Sequence, residues 1–143
     1  MSLQLLPDVN VWVALNHEIH LHHRAAHSWF GALDERSMLI FCRQTQIGFL
    51  RLLSTETLMK AEVLTQRECW QLYTKWIEGG RASCWNEPPG LERNFYSRTV
   101  TEQRSPKVWQ DAYLAAFAET AGLTLVTFDK ALAGKAKGAI LLN

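Results

Sequence analysis

Cysteine is scarce and irregularly placed: Cys42, Cys69 and Cys84 are the only three in 143 residues. An odd set without metal-ligand spacing excludes a disulfide framework or a zinc ribbon and fits buried thiols in a reducing compartment. Long apolar runs are missing, so no membrane span is expected. No basic N-terminal stretch leads into an apolar run and a cleavage site, so a cytoplasmic protein is expected. Neither sign of charge dominates, with fifteen Lys and Arg against fourteen Asp and Glu. The total therefore does not by itself announce a nucleic-acid binder. There is no internal repeat, low-complexity tract or linker, and residues 1–143 are expected to form a single domain. The apolar share of 48% and charged share of 20% suit a soluble globular chain. Its six tryptophans point to a well-filled core or a partner surface.

Against this even background, three nearly neutral stretches each give way to one carboxylate. They are Asp8 in LQLLPDVNVWVAL, Asp111 in SPKVWQDAYLAAFAE and Asp129 in LTLVTFDKAL. Charges in such places are costly unless paired or bound to a cation. Three carboxylates brought together by a fold offer the hard oxygen donors that suit Mg2+ or Mn2+. Bases cluster beside two of them. Arg93, Arg98, Arg104 and Lys107 precede Asp111, and Lys130, Lys135 and Lys137 follow Asp129 with no further acid. An acidic centre ringed by bases suits a polyanion, although a solvated charged surface explains the bases equally well.

The apolar pattern predicts strands at Leu3–Leu6, Ser37–Phe41, Arg81–Trp85, Leu123–Thr127 and Ala139–Leu142. Helices are expected from Asn10, over Leu21–Leu33, over Arg43–Leu53, and from a Thr65/Glu68 capping box to Gly79. The stretch 86–104 reads as irregular. After it, Ser105 is expected to cap a helix with Pro106 in its first position and an end near Gly122. Strands alternating with helices imply an α/β fold, a parallel sheet of four to five strands covered on both faces. Ligands of such sheets bind beyond the carboxyl ends of the strands, where Asp8 and Asp129 fall. Asp111 shares a helical face with Val108, Ala112 and Ala115, and is expected to point inward.

In these residues the chain resembles the PIN-domain ribonucleases, in particular VapC-like toxins of toxin–antitoxin pairs. The resemblance runs from Asp8-Val9-Asn10 through HLHHRAAHSWF and TQIGFLRLLS to WQDAYLAAFAE and LVTFDKAL, the last two being its most specific part. It implies a three-layer α/β/α fold and a Mg2+- or Mn2+-dependent endoribonuclease with Asp8, Asp111 and Asp129 as metal ligands. Thr127 matches the hydroxyl residue two before the last aspartate, and Asn10 the polar residue that supports the first. The family's further glutamate, early in the helix after the second strand, is absent. Gln46 or Gly48 stands in its place, depending on alignment. The resemblance also implies a homodimer, single-stranded or loop RNA as substrate, and inhibition by a small antitoxin that places a helix in a groove and a basic side chain among the carboxylates. Arg104, Lys107 and Lys130 are candidates for holding RNA phosphates.

Blander roles compete at each position. Asp8 and Asp129 could simply cap helices, Asp129 over Lys130–Ala133, and Asp111 could be an exposed helix residue. His20, His23 and His27 lie at i, i+3 and i+7 of a possible helix face, a spacing that more often meets solvent or a partner than zinc. Arg51 is expected to pair with an acid or carbonyl. Trp12, Trp29, Trp70, Trp76 and Trp109 are expected in core or dimer packing rather than base stacking. The missing glutamate motivates a second reading, a catalytically weak PIN-like module that binds RNA or protein. A phosphatase of the haloacid-dehalogenase type ranks lower, because Asn10 stands where that chemistry wants a second carboxylate.

Overall fold

The computed structural model describes residues 2–143. Short apolar runs form five parallel strands: β1 (Gln4–Pro7), β2 (Met38–Phe41), β3 (Ala82–Cys84), β4 (Thr124–Thr127) and β5 (Ile140–Leu141). Their order in the sheet is β3-β2-β1-β4-β5. The chain winds outward from β1 to β3 on one side and from β4 to β5 on the other. The direction of winding reverses between β1 and β4, and such a switch point opens a crevice at the strand ends.

Successive strand residues face opposite layers. Leu5, Leu39, Phe41 and Val126 join one core, while Leu6, Ile40 and Leu125 join the other. The first layer holds α1 (Val9–Asn16), α2 (His23–Gly31), α3 (Arg43–Leu53), α4 (Glu56–Met59) and α5 (Gln66–Glu78). Trp12 of α1 fills its centre, stacked on Phe41 at 3.8 Å between ring centroids and edge-on to Trp76 at 5.2 Å. The second layer is built on α7 (Val108–Ala121), with α6 (Leu91–Thr99) packed against it and α8 (Lys130–Ala133) leading into β5. Leu114, Ala115, Ala116 and Phe117 of α7 are buried, as the small-residue face predicts.

Several boundaries differ from the sequence-based expectation. The region read as irregular contains α6. Only Leu91 of that helix is fully buried, so its apolar stripe is too thin to stand out among charged residues. Ser105 caps nothing: α7 starts at Val108, two residues beyond Pro106, and Lys107 precedes it without a side-chain cap. The helix expected over Leu21–Leu33 spans only His23–Gly31. His20 therefore lies in the preceding turn, and the three histidines do not share one helix face. Two endings hold as read. Thr65 and Glu68 close their reciprocal capping bonds at 2.9 and 3.1 Å, and Gly122 ends α7 in the left-handed region at φ 71°. Trp12 is buried, whereas Trp70 and Trp109 are about half exposed. No helix among the described residues is long and apolar enough to cross a membrane.

Candidate active site

Asp8 directly follows β1, and its backbone N–H bonds the Val126 carbonyl of β4 at 2.8 Å. The neighbouring strand then supplies Thr127, whose hydroxyl donates to Asp8 Oδ2 at 3.0 Å and accepts the Asp129 N–H at 3.0 Å. One buried hydroxyl thus ties the first and last aspartates to the switch point. Both capping roles are also present. Asp8 Oδ1 accepts the Val9 N–H at 2.7 Å, and Asp129 Oδ1 accepts the N–H groups of Ala131 and Leu132 at 2.8 and 3.2 Å. The Asp129 bonds use one oxygen, and the other has no hydrogen bond among the described residues. Capping orients these carboxylates without using up their donor oxygens.

Asp111 approaches from the first turn of α7 and is partly covered. Its nearest cation is Lys135, 3.8 Å from Oδ2, in the turn after α8. Burial raises the Asp8 carboxyl above the usual carboxylate range. The Thr127 and Val9 bonds oppose that shift, and the negative fields of Asp111 and Asp129 add to it. Burial likewise raises Asp111, against the pull of Lys135 and with a further push from Asp129. The three carboxylates therefore share one field whose repulsion a cation would relieve. The cluster is open rather than closed. Among the described residues no three carboxylate, histidine or cysteine side chains converge into a group able to grip an ion, and Asp111 is turned toward Lys135.

The remaining candidates fall unevenly. Asn10 stands exposed in α1 without a hydrogen bond to Asp8, which is held instead by Thr127 and the Val9 N–H. Gln46 is buried and accepts a bond from Arg43. Gly48 packs on Val9 so closely that a Cβ added there would sit 2.7 Å from Val9 Cγ2. Valine thus fills the space that a side chain at position 48 would need. Arg51 is exposed and makes no pair with an acid or carbonyl among the described residues, contrary to expectation. Arg104, Lys107 and Lys130 are all exposed, on the loop before α7 and at the start of α8. Two contacts were not foreseen. Lys135 reaches Asp111, a pairing that only its place in the acid-free C-terminal stretch hinted at. His22 stacks on Phe128 at 4.2 Å, beside Asp129, and brings the histidine-rich turn to the rim of the crevice.

A parallel sheet with acids at its switch point is the frame of a PIN-type nuclease, and comparison with known proteins agrees. The chain is 43% identical to Ribonuclease VapC41 of Mycobacterium tuberculosis over 131 residues, covering 89% of this chain and 90% of the relative. It is 28% identical to Ribonuclease VapC39 of the same organism over 136 residues, covering 95% and 96%. Among solved structures, a protein of Pyrobaculum aerophilum aligns with a TM-score of 0.59 at 25% identity, over 98% of this chain and 84% of that one. Mycobacterium tuberculosis VapC20, described as a Sarcin-Ricin loop cleaving toxin, shares the fold with a TM-score of 0.62 at 12% identity, over 91% and 93%. No family model matches. The chain belongs to the VapC family of PIN-domain ribonucleases.

Proposed function

We propose that this protein is a metal-dependent endoribonuclease acting as the toxin of a VapBC-type pair. The observation that carries this reading is the Thr127 hydroxyl bridging Asp8 to Asp129 across β1 and β4. That bridge sets two carboxylates at the switch point, with Asp111 in their field. The all-oxygen donor set fits a hard divalent cation, Mg2+ or Mn2+, held by Asp8, Asp129 and Asp111. When bound, such an ion supplies an acidified water as nucleophile and neutralises charge on the phosphate. The protein's own part is to orient Asp8 through Thr127 and Val9, to present the second oxygen of Asp129, and to place Asp111 in the same field, where it would serve as a third ligand. Arg104, Lys107 and Lys130 would draw the RNA backbone to the rim.

With the family's glutamate absent, the three aspartates supply the acidic donors, which suits one ion better than two. That absence does not favour the inert-module reading, because the three aspartates and Thr127 remain in place. A cognate VapB-like antitoxin and a homodimer complete the proposal. The exposed Ile47 and Trp70 flank an apolar cleft between α3 and α5 that suits a second copy. Induced expression should arrest growth and create new RNA ends, and Asp8→Asn should abolish both. Equal arrest by the two proteins at equal soluble levels would contradict the proposal.

A further inference from the structure

Lys135 was not among the candidate phosphate-binding bases, yet it is the cation nearest the carboxylates. Its ammonium lies 3.8 Å from Asp111 Oδ2, longer than the roughly 2.7–2.9 Å of a charge-assisted hydrogen bond. Its three N–H donors have no hydrogen-bond acceptor among the described residues. The side chain faces a cleft of about 330 Å3 lined by Arg98, Thr101, Gln103, Val108, Ala112 and Lys135 itself.

The other cation of that cleft is already committed. Arg98 donates to Asn94 Oδ1 at 2.6 Å, to the Lys135 carbonyl at 2.7 Å and to the Glu119 carboxylate. Every branch of its guanidinium is in use, so Arg98 braces the turn that carries Lys135. The hydroxyl of Thr101, which accepts the Gln103 backbone N–H at 3.3 Å, and the side-chain amide of Gln103 add neutral hydrogen-bonding groups to the wall. An ammonium with only a long contact to one carboxylate, in a turn braced from behind by an arginine, suits an oxyanion. The loop forming the wall also carries Arg104, which extends positive charge along the surface.

We propose that Lys135 is a positioning residue that holds an RNA phosphate in this cleft, directly beside the carboxylate cluster. The assignment rests on the ribonuclease reading. Lys135 lies against Asp111, and a cation held by Asp111 would leave the ammonium to the backbone of the substrate.

The test is the salt dependence of binding to a fluorescent single-stranded RNA, followed by anisotropy. Asp111→Asn serves as the background, since it removes both cleavage and the competing charge. Adding Lys135→Met should lower the slope of log affinity against log salt by about 0.7, the loss of one phosphate contact. Lys135→Arg should retain the parent slope. Unchanged slopes in Lys135→Met, with circular dichroism showing the same fold, would overturn the assignment. Cleavage by the unmutated protein in Mn2+ is scored separately. RNA cleavage with a slope indifferent to Lys135 sinks only the phosphate site. A Lys135-dependent slope in a protein that never cleaves sustains the phosphate site and sinks the nuclease reading.

Discussion

Thr127 holds the site together with a single hydroxyl, donating to Asp8 and accepting from the backbone of Asp129. Thr127→Val keeps the shape and leaves both partners short of a bond. Chemical denaturation should show a loss of about 1–3 kcal/mol, the cost of stranding buried polar groups. Thr127→Ser should restore most of it, and a valine variant as stable as the parent would mean that the bridge is idle. The charge of Asp8 supplies a second prediction at this scale. Burial raises its folded-state carboxyl above 3.8, so the folded protein binds that proton more tightly than the unfolded chain. The resulting stability is present below the unfolded value and is lost as pH rises through the raised one. Metal-free protein should therefore gain stability in thermal unfolding as pH falls from neutrality toward the ordinary carboxylate range, and Asp8→Asn should flatten that gain. An equal slope in both would place the titration elsewhere. The aspartates were legible in the sequence because each ends or interrupts an apolar run, whereas Thr127 was marked only by the family resemblance. Lys135 was not legible, since nothing local tells a lysine that faces Asp111 from one that faces water.

At the scale of elements, the departures have local causes. Helix α6 escaped notice because Leu91 is its one buried residue and polar groups fill the rest. The strands were easy, because parallel strands buried on both faces read as continuous apolar runs. The packing of α3 on α1 gives a local reason for a small residue at one of the two positions where the family's glutamate could align. Gly48 is where the two helices meet, and Val9 fills the space a side chain would need. Gly48→Glu should cost about 1–3 kcal/mol in urea denaturation, as overpacking does. Combining it with Val9→Ala should recover much of that loss and make room for a fourth carboxylate. If Gly48→Glu alone is as stable as the parent, the contact is softer than the structure indicates. The alignment left Gln46 and Gly48 equivalent. Packing separates them, for Gln46 turns to Arg43 and Gly48 toward the residue after Asp8.

For the whole molecule, the sheet order does what no segment could. It brings residues 8 and 129, at opposite ends of the chain, to one crevice, and sets α7 so that Asp111 reaches the same field. The α/β class and the switch-point location followed from the alternation of elements, whereas the open state of the acidic cluster required coordinates. The exposed Trp70 beside Ile47 is a cost to a lone chain and an asset to a dimer. Sedimentation should show a dimer that Trp70→Glu converts to a monomer, and identical sedimentation of the two would remove α5 from the interface. On the proposed reading, three aspartates acting as one metal-dependent nuclease site are what the whole fold assembles. The most direct measurement of such a site is cleavage of a mixed RNA pool by purified protein in Mn2+, set beside EDTA and beside folded Asp8→Asn and Asp111→Ala. Defined new RNA ends are expected for the parent in Mn2+ and none in the other three reactions. Cleavage that persists in EDTA, or in either folded variant in proportion to its concentration, would contradict a three-aspartate metal site.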